Sequence, residues 1–507
     1  MLIRLFFLHL TVTRGHKDPF PRAGQICECR VRKSDCFKRN CYGGLSHPNS
    51  SWCLLACLLA TVLLLQGCTA LKASSLKGLP ELDLDKLGNR VLIIATHTDD
   101  EGLATAGFIQ IEIERGCDLK VVIITAGDGS LAACRDYFRG AVATLAEFRQ
   151  VGEARCAESR AAMGSLGLPA NKLIFLGYPD GSLNSLWDVN WDYHHLHLGS
   201  DGASRCPYGF VYQKNAPFCG ENLVRNLESI IGRFKPSCIV YPDEEDIHHD
   251  HWAANAFTQY AITDLDCRVN ELTYLVHRPD FPSPRMTLPS AGLLPPAALK
   301  RLNIKWETVS LSPRQETRKA ACLDFYVIPR LVSKPPLGAF VRENELFGSD
   351  CERKLEHVGD APPDFSKPGM PSVVILDAPA NILPWSLPGA DIRKISMCLG
   401  RQRALLGVEA TGNISVEIVY TFRMRLFGES RVRRVDIRVE RGVATTVLAG
   451  RESSAADRAI PVTVRRNRLW FAVPASIFSG MRTCMLSVYS SLGVRRVNKT
   501  AWMRVSL

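Results

Sequence analysis

The chain has 507 residues, a formal net charge of +11 at pH 7 and 46% hydrophobic residues. This length is too great for one ordinary domain, and the composition excludes a chain that is disordered throughout. The charge is uneven, because residues 391–507 hold 21 Lys and Arg against 8 Asp and Glu, which leaves the rest of the chain acidic overall. We therefore expect two folded domains after an N-terminal segment.

Residues 1–50 are basic, contain four cysteines and show no helical or strand periodicity. Their cysteine spacing matches no established zinc pattern, and we predict a disordered leader or a start codon assigned too far upstream. Residues 51–68 combine an apolar run of signal-peptide length with Leu65-Gln66-Gly67-Cys68, which resembles the bacterial lipobox and implies lipid attachment at the cysteine. The run also fits an uncleaved membrane anchor. Either way, we expect a cell-envelope protein whose bulk lies outside the cytoplasm, in the bacterial periplasm or at the outer membrane, behind a tether at residues 69–89.

The first strong strand signal is the apolar run Val91–Ala95, which leads into His97-Thr98-Asp99-Asp100-Glu101 and then into an apolar, helix-spaced run. A buried strand that opens into a helix places the polar residues between them at the carboxyl edge of a sheet, where open α/β folds bind ligands. A His and a carboxylate three positions apart can share one divalent metal ion, and the intervening carboxylate stays free to handle a proton. On its own, the pattern is also that of a strand followed by a polar turn.

A second polar cluster has the same setting. Residues 241–251 end in His248-His249-Asp250-His251, follow the apolar segment Cys238–Val240 and precede a helix-spaced run from Trp252 to Ala261. Two strand ends that each carry His and Asp can converge on one site. The alternation of strand and helix signals predicts an α/β fold over residues 90–330, with a Rossmann-like, mostly parallel sheet and flanking helices.

Three further polar residues lie on elements of this domain. Asp128 follows the predicted strand Asp118–Ile124, and Asp180 follows the predicted strand Lys172–Gly177, although an Asp beside a Gly is also ordinary turn chemistry. Arg155 lies on a helix-spaced segment, and its guanidinium suits recognition of a phosphate, a carboxylate or sugar hydroxyls.

Residues 187–220 form a long segment that is rich in aromatic residues and contains Gly and Pro. Such a loop is often a lid or a sugar platform in α/β enzymes, but it can equally pack on its own aromatic side chains. Cys206 and Cys219 bracket the loop and would be able to pair if the protein is exported.

Residues 331–372 contain many prolines and mixed charges, which predicts a linker. Beyond them the hydrophobic period changes to two, and between Ile414 and Leu426 apolar residues alternate with polar ones that include Arg423 and Arg425. Several such strands predict an all-β, sandwich-like domain over residues 373–507. Its Arg-rich face is either a surface for an anionic glycan or membrane, or simply a solvated face. No nucleic-acid reader motif is recognisable, and we predict no nucleic-acid partner.

Three motifs follow one another in the α/β domain: His97-Thr98-Asp99-Asp100-Glu101, Arg155-Cys156-Ala157-Glu158 and His248-His249-Asp250-His251. Together they resemble the motifs of the PIG-L or LmbE-like metal-dependent N-acetylglucosaminyl deacetylases, which are His-Pro-Asp-Asp-Glu, Arg-x-x-Glu and His-Pro-Asp-His. The chain departs from the family pattern at Thr98 and His249, which replace prolines that shape the two turns.

The resemblance implies a role for each matching residue. His97, Asp100 and His251 would hold Zn²⁺, or another divalent metal, and leave one coordination position open for water. Asp99 would act as the general base, and His248 would stabilise the oxyanion or protonate the leaving amine.

Further residues would support this centre. Asp250 would orient a histidine, and Arg155, Asp128 and Asp180 would contact the substrate. The implied function is zinc-dependent removal of the N-acetyl group from an N-acetylglucosamine-type amino sugar or glycoconjugate at the cell envelope. Two alternatives stay open: a non-catalytic glycan- or surface-binding protein on the same fold, and a metal hydrolase of another amide or ester. The complete set of ligands, base and acid favours the enzyme, because a decayed site would be expected to lose at least one of them.

Overall fold

The computed structural model describes residues 78–302, 304–350, 353–355, 373–376, 387–429, 431–448 and 460–507. The predicted leader at residues 1–50 and the signal-like segment at residues 51–68 lie outside the described residues, so both stay predictions. Within the described ranges, no helix combines the length and the apolar character that crossing a membrane requires.

Strands and helices alternate between residues 90 and 350. The strands are β1 (Arg90–Ala95), β2 (Asp118–Thr125), β3 (Leu173–Tyr178), β4 (Cys238–Pro242), β5 (Asn270–Tyr274), β6 (Ile304–Ser310) and β7 (Asn344–Asp350). The helices are α1 (Asp100–Glu114), α2 (Leu131–Phe138), α3 (Leu145–Ser165), α4 (Leu183–Asp188), α5 (Gly220–Phe234), α6 (His249–Asp264), α7 (Pro313–Leu323) and α8 (Val327–Val332).

The seven strands form one sheet in the order β3-β2-β1-β4-β5-β7-β6. The first five strands in this order run parallel. At the end of the sheet, β7 is antiparallel to both of its neighbours, β5 and β6. Helices cover both faces of a parallel sheet, so its central strands are apolar throughout; β1 accordingly has five buried residues in a row. The predicted α/β fold with a mostly parallel sheet is confirmed.

The segment predicted as a linker contains a strand of this first sheet. β7 pairs with β6 along its whole length, and its Glu345 is fully buried. The Glu345 carboxylate accepts the N–H groups of Gly107 and Phe108 at 2.7 Å each and lies 2.6 Å from Lys319 Nζ. Sequence patterns treat such a buried charge as a surface residue, because they do not show the distant partners that satisfy it.

The C-terminal domain consists of antiparallel strands. They are β8 (Val373–Leu376), β9 (Ile392–Leu399), β10 (Arg403–Ala410), β11 (Ile418–Gly428), β12 (Val432–Glu440), β13 (Val443–Leu448), β14 (Ile460–Pro461), β15 (Thr463–Arg465), β16 (Arg468–Pro474), β17 (Met481–Leu492), β18 (Arg495–Lys499) and β19 (Met503–Ser506). One sheet has the order β15-β16-β10-β9-β8, and the other has the order β14-β13-β12-β11-β17-β18 with β19 beside β17. Their apolar side chains share one core, in which the rings of Phe422 and Phe471 lie 5.1 Å apart. The predicted all-β, sandwich-like domain is confirmed.

Cys206 and Cys219 do not form the disulfide that we considered, and both thiols are free and buried. The backbone pairs Arg205 with Pro217, and the N–H of Cys206 donates to Ala216. In this register Cys206 lies opposite Ala216, three positions before Cys219. Cys219 is therefore not the cross-strand partner of Cys206.

The Arg-rich face of β11 packs on the α/β domain. Arg425 is fully buried, and its Cζ lies 5.4 Å from the ring centroids of Trp187 and Trp502 and 5.3 Å from that of Trp191. Burial lowers the pKa of Arg425 to about 9. For Arg425, neither the glycan-binding surface nor the solvated face is correct, because its guanidinium lies inside an aromatic cage formed by Trp187, Trp191 and Trp502.

Asp188, at the end of α4, joins the two domains. Its Oδ1 accepts hydrogen bonds from Arg423 at 2.7 Å and from the hydroxyl of Tyr489 at 2.8 Å, and its Oδ2 accepts one from Arg496 at 2.9 Å. With the burial of Trp187, this shows that the start of the long aromatic segment is packed within the protein.

Candidate active site

The candidate active site lies at the carboxyl ends of β1 and β4. Because β1 continues to β2 on one side and β4 continues to β5 on the other, the two connections diverge and leave a crevice between them. His97 and Asp99 follow β1, Asp100 opens α1, and His248 and His251 lie at the start of α6. The structure thus brings the two sequence clusters together.

Three potential ligand atoms form a small triangle in this crevice. His97 Nδ1 lies 3.1 Å from His251 Nε2 and 3.4 Å from Asp100 Oδ2, and the last two atoms are 3.1 Å apart. Bonds of about 2.0–2.1 Å in a tetrahedral zinc site place neighbouring ligand atoms about 3.3 Å apart. All three side chains are buried, and among the described residues Asp100 Oδ1 has no hydrogen-bond partner. The triangle therefore fits a divalent metal ion.

Asp246 supports His251 from the side away from this triangle. Its Oδ2 lies 3.2 Å from His251 Nδ1 and accepts the N–H groups of Val276 at 3.0 Å and His277 at 2.9 Å. Its Oδ1 accepts the N–H of His248 at 3.0 Å. A carboxylate on the far nitrogen fixes the orientation and tautomer of a metal-binding imidazole. Sequence reasoning gave Asp246 no role, and its only signal was its place two residues before His248.

Asp250 and Asp180 both contact His97. Asp250 Oδ2 lies 3.3 Å from His97 Nε2 and accepts the N–H of Gly181 at 2.6 Å, while Asp250 Oδ1 accepts the N–H of Leu183 at 2.9 Å. Asp180 Oδ1 lies 3.1 Å from the same His97 nitrogen. The histidine beside the Asp250 carboxylate is therefore His97.

Asp99 lies beside the triangle in a strained backbone conformation. Its φ of 130° falls where glycine is favoured, and such strain persists where the surroundings impose it, often at active sites. Its N–H donates to Glu101 Oε2 at 3.0 Å, and its Oδ1 lies 3.4 Å from Arg155 Nη2. Burial raises the pKa of Asp99 to about 7, although Arg155 acts in the opposite direction. A carboxylate that titrates near neutral pH suits a general base.

The ring of His248 lies against the cluster, 4.8 Å from that of His97 and 5.2 Å from that of His251, whereas the neighbouring His249 is exposed. His248 Nδ1 accepts the N–H of Asp250 at 3.3 Å, so the neutral ring carries its proton on Nε2. Burial and the positive charge of His97 and His251 lower the pKa of His248 to about 2. A neutral ring with an Nε2–H is a hydrogen-bond donor, as oxyanion stabilisation requires.

The three residues predicted to contact substrate each have partners within the protein. Arg155 is buried and donates to backbone carbonyls in the turns after β1 and β2, at 2.8 and 2.9 Å. Asp128 accepts the hydroxyl of Tyr208 at 2.7 Å and the N–H of Asp180 at 3.1 Å. Asp128 and Asp180 lie in loops beside the cluster, and Arg155 lies on α3. Their contact with a substrate stays a prediction.

Sequence reasoning missed His277, which follows β5. Its ring lies 4.7 Å from that of His251 and 4.9 Å from that of His248. One of its nitrogens belongs with ligand atoms of His97, Asp100 and His251 to a set whose members all lie within 4.8 Å of one another. The signal for His277 was its place after the strand next to β4, which becomes visible only once the strand order is known.

Neighbouring charges shift the pKa values of the residues in the cluster. Burial lowers the pKa of His251, but Asp100 and Asp246 outweigh this effect and raise it to about 9. Burial raises the pKa of Asp100, but His251 and His97 hold it well below its usual range. Protons on the histidines therefore balance the carboxylates, and a bound metal ion would release them.

The α/β domain matches known proteins. Residues 92–262 match the family model described as PIG-L: GlcNAc-PI de-N-acetylase. The 1D-myo-inositol 2-acetamido-2-deoxy-alpha-D-glucopyranoside deacetylases of Mycobacterium sp. strains KMS and JLS are each 29% identical to this chain over 195 residues, which are 38% of this chain and 56% of the relative. The chain thus spans just over half the length of these curated relatives.

Solved structures also resemble the chain. The zinc-inhibited form of teicoplanin deacetylase Orf2 is 18% identical, with 51% of this chain and 97% of that chain covered and a TM-score of 0.34. The N,N'-diacetylchitobiose deacetylase from Pyrococcus horikoshii is 15% identical, with 48% of this chain and 73% of that chain covered and a TM-score of 0.29.

The family model spans both clusters that meet in the crevice, residues 97–101 and 248–251. These clusters also carry the two His/Asp motifs in the order that the resemblance requires. Residues 92–262 of this chain therefore match the PIG-L family of de-N-acetylases.

Proposed function

We propose that this protein is a metal-dependent deacetylase that removes the N-acetyl group from an N-acetylglucosamine-type amino sugar or glycoconjugate. The observation that carries the proposal is the buried triangle of His97, Asp100 and His251 with Asp99 and His248 beside it. Such a crevice combines a cation site, a base and a hydrogen-bond donor, which are the groups that amide hydrolysis needs. The family match and the names of the curated relatives support the same reaction.

We propose Zn²⁺ as the metal, held by His97, Asp100 and His251, because two imidazole nitrogens and one carboxylate oxygen form a donor set that zinc accepts. When bound, Zn²⁺ polarises the acetyl carbonyl and makes a water molecule more acidic. The contacts of Asp246 with His251, and of Asp250 with His97, keep the two rings in place.

The chain's own residues would move the protons. Asp99 takes a proton from the attacking water and returns it to the nitrogen that leaves as the amine. Its backbone contact with Glu101 and its side-chain contact with Arg155 hold it in position. The Nε2–H of His248 donates to the oxygen that becomes negative when the carbonyl is attacked. Water and the acetamide together give acetate and a free amine.

An assay of the zinc-loaded full-length chain tests this proposal. It measures the free amine released from N-acetylglucosamine-containing substrates. We expect Asp99→Asn to lower kcat by about a hundredfold or more, because a general base contributes roughly 10²–10⁴-fold. His248→Ala should also lower kcat, whereas His249→Ala, at the exposed neighbouring position, is its matched control and should retain activity.

Two outcomes would redirect the proposal. One bound zinc without turnover of any N-acetylated sugar would favour a binding protein on a deacetylase-like fold. A preference for a larger acyl group would favour a hydrolase of another amide or ester.

A cell-envelope location is also a proposal, and it is supported by the sequence of residues 51–68 alone, which lie outside the described residues. Fatty-acid labelling of the parent, compared with Cys68→Ala, tests lipid attachment. Equal labelling of the two proteins would exclude the predicted lipidation site.

A further inference from the structure

The geometry points to His277 as a fourth, displaceable ligand of the metal, which closes the site until substrate or product takes its place. This inference rests on the metal site of the proposed function. It concerns a residue that lies outside both sequence motifs.

The backbone of His277 is tied to the segment between β4 and α6, which leads to His251. The N–H of His277 donates to Asp246 Oδ2 at 2.9 Å, and its carbonyl accepts the N–H of Ile247 at 3.1 Å. The same Asp246 oxygen lies 3.2 Å from His251 Nδ1. These contacts hold the backbone of His277 next to the cluster and do not involve its imidazole.

The imidazole of His277 lies within reach of the triangle but not within it. Its ligand atom lies within 4.8 Å of those of His97, Asp100 and His251, whereas the triangle itself has edges of 3.1–3.4 Å. The ring is nearly perpendicular to those of His97 and His251, at 79° to each. A side-chain rotation, without movement of the clamped backbone, is the change that would bring it to ligand distance.

Burial separates His277 from the other three ligands. His97, Asp100 and His251 are buried, and His277 is the exposed member of the set. A buried ligand has no room to leave, whereas an exposed imidazole can turn towards solvent. Three histidines and one carboxylate would complete four-coordinate zinc, as in closed sites, and a catalytic site needs that fourth position open. His277 would thus compete with water and substrate for the metal.

The test uses the full-length chain loaded with Co²⁺, whose visible absorption is intense in four-coordinate sites and weaker when more ligands bind. We expect His277→Ala, in which water would replace the imidazole as the fourth ligand, to change this spectrum and to release Co²⁺ to a chelator at least about tenfold faster than the parent. His249→Ala, another exposed histidine at the same edge, is the control and should match the parent. A His277→Ala protein with the spectrum and release rate of His249→Ala would overturn the inference.

Acetate, the product of the proposed reaction, gives a second readout. In the parent, saturating acetate should displace His277 and change the Co²⁺ spectrum, because an oxygen ligand replaces a nitrogen ligand. In His277→Ala, acetate would replace water, which is also an oxygen ligand, and should change the spectrum much less. Equal changes in both proteins would show that His277 is not a ligand. These spectra do not require turnover, so the inference about His277 can fail while the deacetylase activity stands. Likewise, the spectra can show that His277 is a ligand even if the protein has no deacetylase activity.

Discussion

Burial alone would remove the proton from His251, but two carboxylates reverse that effect. Asp100 Oδ2 lies 3.1 Å from one ring nitrogen, and Asp246 Oδ2 lies 3.2 Å from the other. Their combined effect raises the pKa of His251 to about 9, so the metal-free protein holds a proton where the metal would bind.

We expect the metal-free protein to lose stability as the pH rises from about 6.5 to about 9. Because the pKa of His251 is about 9 in the folded chain and about 6.5 when unfolded, its stabilising effect is complete below pH 6.5 and disappears as the pH rises through 9. The full effect is on the order of 3 kcal/mol. Urea unfolding of the chelator-treated parent and of His251→Gln, at pH 6 and pH 9, measures it. The idea fails if both proteins show the same pH dependence.

The sequence was sufficient to bring together the clusters at residues 97–101 and 248–251, because each follows a strong strand signal and parallel strands share one carboxyl edge. The choice of His97, Asp100 and His251 within them came from the family resemblance. The sequence was not sufficient for His277 or Asp246. The role of His277 depends on β5 lying beside β4, and that of Asp246 depends on backbone groups after β5. Both are consequences of strand order, which a linear pattern does not contain.

Among the elements, the short helix α4 contacts both the candidate active site and the β domain. Just before and at its start, the N–H groups of Gly181 and Leu183 donate to Asp250, which contacts His97, and at its end Asp188 accepts three hydrogen bonds from the β domain. α4 therefore connects the β domain to Asp250, the carboxylate beside His97. The period of two correctly predicted β11 but could not show which face of the strand is solvated, because Arg423 bonds to a residue far away in the sequence.

We expect Asp188→Asn to lower kcat about tenfold and to leave KM nearly unchanged. The substitution removes the charge that pairs with Arg423 and Arg496, so α4 and the Asp250 contact should shift, and small displacements of catalytic groups cost one to two orders of magnitude in rate. Steady-state kinetics of the zinc-loaded protein test this. Asp192→Asn, which alters a more exposed carboxylate in the same segment, should behave like the parent. A change in KM alone would show that α4 does not position the catalytic groups.

At the scale of the whole molecule, the two domains share part of one hydrophobic core. Phe427, Met485 and Trp502 of the β domain belong to the cluster of buried residues centred on the parallel sheet. Trp502 is only 1% exposed, and its ring lies 5.1 Å from that of Trp187. Such an interface is expected to couple the unfolding of the two domains.

We therefore expect one cooperative calorimetric transition for the parent. Trp502→Ala should destabilise the protein by about 3–5 kcal/mol, the usual cost of removing a large buried aromatic side chain, and should separate the transition into two. Trp470→Ala, on β16 of the other sheet, provides a comparison at a partly buried tryptophan. Two transitions in the parent would show that the domains unfold independently.

The cage of Trp187, Trp191 and Trp502 around Arg425 also limits how this protein can be recombined with others. A chimera that keeps the β domain but replaces the α/β domain would keep Trp502 but remove Trp187 and Trp191 from around the guanidinium. One that keeps only the α/β domain would present tryptophans to water. Trp187 and Trp191 lie more than two hundred residues before Arg425 and Trp502 along the chain. A folded chimera therefore has to include both segments.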